Sequence, residues 1–409
     1  MSPEIARNRT FSQFSRVGEI VRFPHAFRDS PALRTLHLSE LSLRHFRNLR
    51  NQELELPREG VALIGDNAQG KSNFLEAIYY LETLRSFRGA RDAQMVAFGE
   101  DVFRVVGTTE GEGDEPRGSQ VAAAFQKKGK RKKVTVDGTE AERLTDALGH
   151  FSAVIFSPAD VDLVSGGPSE RRRFLDIVLS LNEPGYVAAL SDYKKSLARR
   201  NAALKAGQSW SLVSVWDQGL VRAGADIMMA RRTWVEARAS AFDDYYARVS
   251  GGRRARMTYK PQVALDGAAD ADSVQDVFRE ALEGARDREA RRGVTLVGPH
   301  RDDLRLQLCD EGEGLDLRDY GSGGQRRTAA LALRLVEAMT IRERRSRRPM
   351  ILLDDVFAEL DAGRSERILE LMEGEDTGQV VLTAPKDADV RIRRDVLPRW
   401  RIQAGEITT

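Results

Sequence analysis

At 409 residues and 41% hydrophobic, the chain can bury one large core or two linked ones, and 64 Lys and Arg against 62 Asp and Glu leave a formal charge of +2. It is no polycation, so any contact with nucleic acid must come from local patches. A single cysteine, Cys309, excludes an internal disulfide and a cysteine-cluster metal site, and five scattered histidines make no ligand-spaced cluster. No apolar run nears the roughly 18 residues of a membrane span, and no signal peptide opens the chain, so a cytoplasmic location without membrane contact is expected.

Residues 1–34 hold six arginines, no lysine and no clear periodicity, and are read as a mobile extension. The ordered body is expected to begin at Leu36, where Leu36 to Leu49 alternates as strands do. Gly60-Val61-Ala62-Leu63-Ile64 then reads as a buried strand running into Gly65-Asp66-Asn67-Ala68-Gln69-Gly70-Lys71-Ser72, a complete G-x-x-x-x-G-K-S loop, with helical spacing from Asn73 to Leu81. Strand, glycine loop and helix in that order make a phosphate cradle. Gly65 and Gly70 let the backbone N–H groups of 65–72 wrap a triphosphate, the helix start adds its positive dipole end, Lys71 reaches the β and γ phosphates, and the Ser72 hydroxyl ligates Mg²⁺. ATP and Mg²⁺ are the expected ligands.

Further on, Val121 to Phe125 and Val134 to Val136 flank Lys127, Lys128, Lys130, Arg131, Lys132 and Lys133, a hairpin whose tip is either a DNA-phosphate contact or a solvated turn. From Ser169 to Val249 the pattern is helical. Tyr186, Leu190, Tyr193, Leu197 and Leu204 mark one helix, and a stripe from Trp216 to Val249 marks a second of roughly 50 Å, whose Trp and Met residues read as packing. Ser322-Gly323-Gly324-Gln325 then opens another apolar helix, offering a second anion site. Ser322 lies 28 residues before Met350, where Met350 to Leu353 runs into Asp354 and Asp355. Asp354 is placed to hold the Mg²⁺ and Asp355 to orient the attacking water, with Lys71 the third catalytic residue and Ala358 to Asp361 an acidic turn after them. The Ser322 turn resembles the signature motif of ATP-binding-cassette ATPases. One chain has little use for two γ-phosphate sites, so Ser322, Gly323 and Gln325 are expected to complete the site on a second copy's ATP, in an ATP-dependent homodimer.

Phe156 to Asp176, Ala198 to Lys205, Gly298 to Asp303, and Leu352 to Asp355 with Glu359 to Asp361 resemble, in order, the motifs of the RecF recombination family, over about residues 36 to 400. The resemblance implies an α/β fold: a P-loop ABC/SMC-like ATPase head built from both chain ends, with an inserted, mostly helical arm. It divides the chain into the extension 1–34, a head segment 35–150, the arm 151–290 and a head segment 291–409. It further implies an ATP-driven dimer clamp on gapped or junction DNA that acts with RecR and RecO to help load RecA, reset by slow hydrolysis. Two departures from cassette ATPases, Asp355 for a glutamate and no switch histidine in Val380 to Ala384, agree with slow hydrolysis. The alternatives are a structural clamp with negligible turnover and a transporter-type nucleotide-binding subunit.

Overall fold

The computed structural model describes residues 33–111, 118–309, 314–356, 362–374, 377–393 and 396–409. The arginine-rich extension thus falls outside the described residues up to position 32, as does the acidic turn Ala358 to Asp361, Glu359 included.

The centre is a six-stranded sheet in the order Glu406–Thr408, Arg399–Gln403, Gly60–Ile64, Val380–Ala384, Met350–Asp354, Ala153–Phe156. The last five run parallel, and Glu406–Thr408 pairs antiparallel with its neighbour. Every residue of the four strands from Gly60–Ile64 to Ala153–Phe156 is buried, which a sheet covered on both faces demands. Alternation then sorts them between two cores. Val61, Leu63, Ile155, Leu352 and Val381 face one, while Ala62, Ile64, Val154, Phe156, Leu353 and Leu382 face the other.

In the first core, helix Lys71–Thr83 lies between this sheet and a second, largely antiparallel one built from Arg34–Arg44, Gln52–Glu55, Val102–Gly111, Gln120–Gln126, Arg131–Val136 and two short strands. Eleven of the helix's thirteen residues are buried, so it is a core element and not a surface one. The second core takes helix Gly323–Arg345, helices Pro168–Asn182 and Tyr186–Lys205, and the long helix Asp217–Ser250.

The long helix begins one residue after its expected start, and its 34 residues are buried at intervals from Leu220 to Val249, so it packs along its length. Trp234 and Met228 are part of that packing. The inserted region is not helical throughout. Ala255–Lys260 pairs with Asp303–Leu308 over six residues, and Leu315–Asp316 adds a third strand. The divisions at 151 and 291 therefore shift: Ala153–Phe156, expected in the arm, is an edge of the central sheet, and Asp303–Leu308, expected in the head, joins the inserted lobe. Short apolar runs announce a strand but not its partner, because the pairing is decided by residues far away in sequence.

Candidate nucleotide site and basic surface

Three strands of the central sheet end side by side, with Ile64 level with Ala384 and Asp354 level with Thr383. The loop 65–70 rises from the first of them. Ala68 and Gly70 take left-handed φ values of +65° and +118°, and a Cβ at Gly65 would stand 2.5 Å from the Ile402 carbonyl oxygen, so only glycine fits there. The crest is pinned from outside. Gln69 accepts from the Ala404 and Gly405 amides at 2.6 and 3.0 Å, while Asp66, Asn67 and Ala68 remain exposed to solvent.

Lys71 is buried and folds back on its own loop, donating to the carbonyls of Gly65 at 2.8 Å and Asp66 at 3.2 Å, with Asp355 Oδ2 3.9 Å away. The Ser72 hydroxyl donates to Asp354 Oδ1 at 2.8 Å. Thr383 donates to the same oxygen at 3.1 Å, and its hydroxyl accepts from the Asp355 amide at 3.2 Å. Thr383 escaped the sequence reading because a threonine ending a strand carries no motif; its position beside Asp354 in the register is what gives it a role. Burial pushes the Asp354 carboxyl up, opposed by the bonds from Ser72 and Thr383. Burial does the same to Asp355, opposed by Lys71. Asp355 holds φ +49°, a left-handed backbone rare for a residue with a side chain, and its Oδ1 is buried with no hydrogen-bond partner among the described residues. The adjoining Ser72 hydroxyl and Asp354 carboxylate are an all-oxygen pair of the kind that suits Mg²⁺.

Arg88, also absent from the sequence reading, reaches the start of the loop helix. It donates to Asn73 Oδ1 and, at 2.6 Å, to Glu76, which also accepts from Arg47 at 2.8 and 2.9 Å. Although paired with Glu76, its charge is felt at Asp354, where it opposes the upward push of burial.

The second predicted anion site is a separate, exposed corner. Ser322 caps helix Gly323–Arg345 with its hydroxyl accepting from the Gln325 amide at 3.3 Å, and Gln325 Oε1 accepts from the Ser322 amide at 2.7 Å. Ser322 and Gly323 are exposed. The Arg364 guanidinium lies over Gly324, 2.1 Å from where a Cβ would stand. The same helix is anchored deeper in the head, where Arg334 donates to Asp160 at 2.7 Å and to Glu337 at 2.7 Å.

The basic hairpin is formed by Gln120–Gln126 and Arg131–Val136, with Lys127 to Lys130 turning between them. Lys128, Lys130, Arg131 and Lys133 are exposed. Lys132 departs from the expected set. It points inward, paired with Asp92 at 2.9 Å, donating to the Leu84 carbonyl at 2.8 Å, over the Tyr80 ring. Strand alternation turns every second residue of Arg131–Val136 toward the core, so Arg131, Lys132 and Lys133 could not all share one face.

The RecF/RecN/SMC N terminal domain family matches residues 37–399. A DNA replication and repair protein RecF from Gloeobacter violaceus is 39% identical over 340 residues, 82% of this chain and 88% of that protein. The chain belongs to the RecF family. A solved structure of the recombination mediator protein RecF-ATP in the RecFOR pathway superposes with a TM-score of 0.83 at 31% identity, over 92% of this chain and 98% of the other. An Smc head domain from Pyrococcus furiosus, at 16% identity and a TM-score of 0.51, shares the ATPase head fold alone. No helix among the described residues is long and apolar enough to cross a membrane.

Three of the motifs that carried the RecF resemblance turn out to be internal. Arg171 clasps Asp303 at 2.7 and 3.0 Å. Arg231 joins Asp176, Asp302 and the Pro299 carbonyl at 2.8, 3.3 and 2.8 Å. The fully buried Arg200 meets Asp217, Glu289 and Thr295 at 2.6, 2.7 and 2.9 Å. These RecF residues lock the inserted lobe; they do not line the phosphate loop.

Proposed function

We propose that this protein is an ATP-dependent DNA-binding switch of recombinational repair, in which two ATP molecules join two copies around gapped or junction DNA. The observation that carries this reading is the division of labour between the two anion sites. Lys71, Ser72, Asp354 and Thr383 converge at one sheet edge, whereas the Ser322 turn faces solvent. In the proposed state Lys71 leaves the loop carbonyls for the β and γ phosphates, the amides of 66–72 hold the remaining oxygens, and Arg88 stabilises the same charge. Ser72 and Asp354 would hold Mg²⁺, which on binding neutralises the β and γ oxygens. Asp355 orients the attacking water. Its side chain is one methylene shorter than a glutamate and no histidine follows in 380–384, so turnover is slow and the joined state long-lived. The likeness to a solved RecF-ATP structure of the RecFOR pathway supports ATP as ligand and a place in that pathway, and the family resemblance implies RecR and RecO as partners in loading RecA.

The test is the size of the purified protein with and without ATP, on gapped and fully paired duplex. Wild type should shift from monomer to dimer with ATP and bind gapped DNA more tightly as it does so. Ser322→Arg should bind ATP within about twofold of wild type, because it leaves Lys71, Ser72 and Asp354 in place, yet stay monomeric. Wild type that remains monomeric at saturating ATP, or Ser322→Arg that dimerises normally, overturns the reading. Turnover with gapped DNA separates a hydrolysing switch from a clamp that never resets.

A further inference from the structure

Phe98 is fully exposed, more so than any other large apolar side chain among the described residues. It is also held firmly. The Ala97 amide donates to the His45 carbonyl at 2.8 Å, and the Glu100 amide donates to the Ala97 carbonyl at 3.2 Å, closing a turn with Phe98 at its corner and Gly99 at φ +84°. Turn corners of this kind usually carry polar residues. This turn is also stitched to the basic hairpin: Lys127 Nζ donates to the Glu100 carbonyl at 2.7 Å, and the Lys127 amide to the Asp101 carbonyl at 2.8 Å. The strand leaving the turn carries Arg104, which lies in a cross-strand row with Arg44 and Lys133 on the solvent face. Of the two acids beside the ring, Glu100 is engaged by His45 at 3.2 Å.

Single exposed apolar residues are ordinary, and a protein partner would want an apolar surround to build an interface core. Here the surround is charged: Arg44 and Lys133 are paired with Glu53 and Glu140 at 2.7 and 2.8 Å, while the exposed Lys128, Lys130 and Arg131 lie on the hairpin that Lys127 ties to this turn. An exposed aromatic ring on an anchored turn beside cations can hold single-stranded nucleic acid, one base stacked on the ring while its backbone follows the charges. We propose that Phe98 stacks on an unpaired base at the edge of a gap while Lys127, Lys128, Lys130 and Arg131 hold the adjoining phosphates. The inference rests on the DNA-binding reading above and adds to it the residue that tells unpaired from paired DNA. Bases within a duplex already stack on each other and leave the ring nothing to cover, so Phe98 contributes only where a base is free.

The experiment uses the full-length protein with ATP, on a gapped duplex and a fully paired duplex of equal length, with a fluorescent base analogue as the first unpaired base. Phe98→Ala should weaken binding to gapped DNA about 5- to 100-fold and abolish quenching of the analogue. Its affinity for paired duplex, its dimerisation and its ATP turnover should not change, and Phe98→Trp should restore the gap preference. A joint Lys127→Glu, Lys128→Glu, Lys130→Glu and Arg131→Glu variant should weaken both DNAs; if it weakens neither, the hairpin is not the DNA surface and the parent reading fails. If the charge variant loses DNA while Phe98→Ala keeps full gap preference and quenching, or if Phe98→Ala alters dimerisation alone, the stacking role is overturned.

Discussion

The phosphate-loop end of the sheet and the buried lock of the inserted lobe both draw on motif residues, yet they treat buried charge differently. In the lock, charges are matched: Arg171 with Asp303, Arg231 with Asp176 and Asp302, Arg200 with Asp217 and Glu289. The one Arg200 nitrogen without a hydrogen bond belongs to a guanidinium 5.5 Å from the Trp210 ring centroid, over which it can lie. At the phosphate loop the matching is looser. Lys71 donates to two carbonyls with Asp355 Oδ2 only at 3.9 Å, Asp355 keeps its other, buried oxygen unpartnered and a left-handed backbone, and Asp354 is bonded by neutral hydroxyls. A motif alone does not separate ligand site from lock. Whether the charges are already satisfied within the chain does.

Breaking the lock should have the largest effect and should register as stability. Arg231→Met removes the partner of two carboxylates, one of which, Asp302, also accepts from Tyr259 and the Gln262 amide and cannot reach water. Losing one side of such a network costs about 3–5 kcal/mol, read as a fall in thermal midpoint, with ATP affinity kept in whatever fraction remains folded.

Changes at the loop edge should register as function instead. Lys71→Met takes away a cation whose contacts in the free protein are two loop carbonyls and, at 3.9 Å, one oxygen of the partly exposed Asp355, so the melting temperature should move little while ATP affinity falls about 100-fold. Asp355→Asn should keep ATP and the ATP-dependent dimer but slow turnover at least about 100-fold, measured as phosphate release on gapped DNA. If Asp355→Asn turns over normally, Glu359, outside the described residues, is the next carboxylate to change. If Lys71→Met melts far below wild type, the loop edge is a lock as well and the contrast collapses.

The loop and its strand were legible because four fixed identities sit between a strand and a helix, and the long helix was legible because its apolar stripe recurs at helical spacing from Leu220 to Val249. What stayed hidden depends on distant pairing. Thr383 matters only because its strand lies against Asp354, and Ala153–Phe156 belongs to the head only because it pairs with Met350–Leu353. Lys132 was hidden for a simpler reason: a charge run looks like one surface until strand alternation turns a member inward toward Asp92.

His300 gives the smallest effect and the finest probe of the lock. Its Nε2 lies 3.2 Å from the Thr295 carbonyl, which must accept, so Nε2 carries the proton and Nδ1 accepts from the Tyr193 hydroxyl at 2.6 Å. Burial, with the nearby Arg301, Arg172 and Arg231 charges, pulls its pKa down to about 4 from an ordinary 6.5. Above pH 6.5 the imidazole is neutral whether the chain is folded or not, and the lock is intact. Between 6.5 and 4 the unfolded chain takes up a proton that the folded chain refuses, so stability falls as the solution is acidified through that window and levels off below it. The loss amounts to at most about 3 kcal/mol. His300→Gln retains a donor and an acceptor without a titrating group, so its unfolding free energy should start lower at pH 7.5 but change less between pH 6.5 and 4. Equal slopes for the two proteins would mean that His300 is already protonated when folded, and that the lock tolerates an unmatched charge after all.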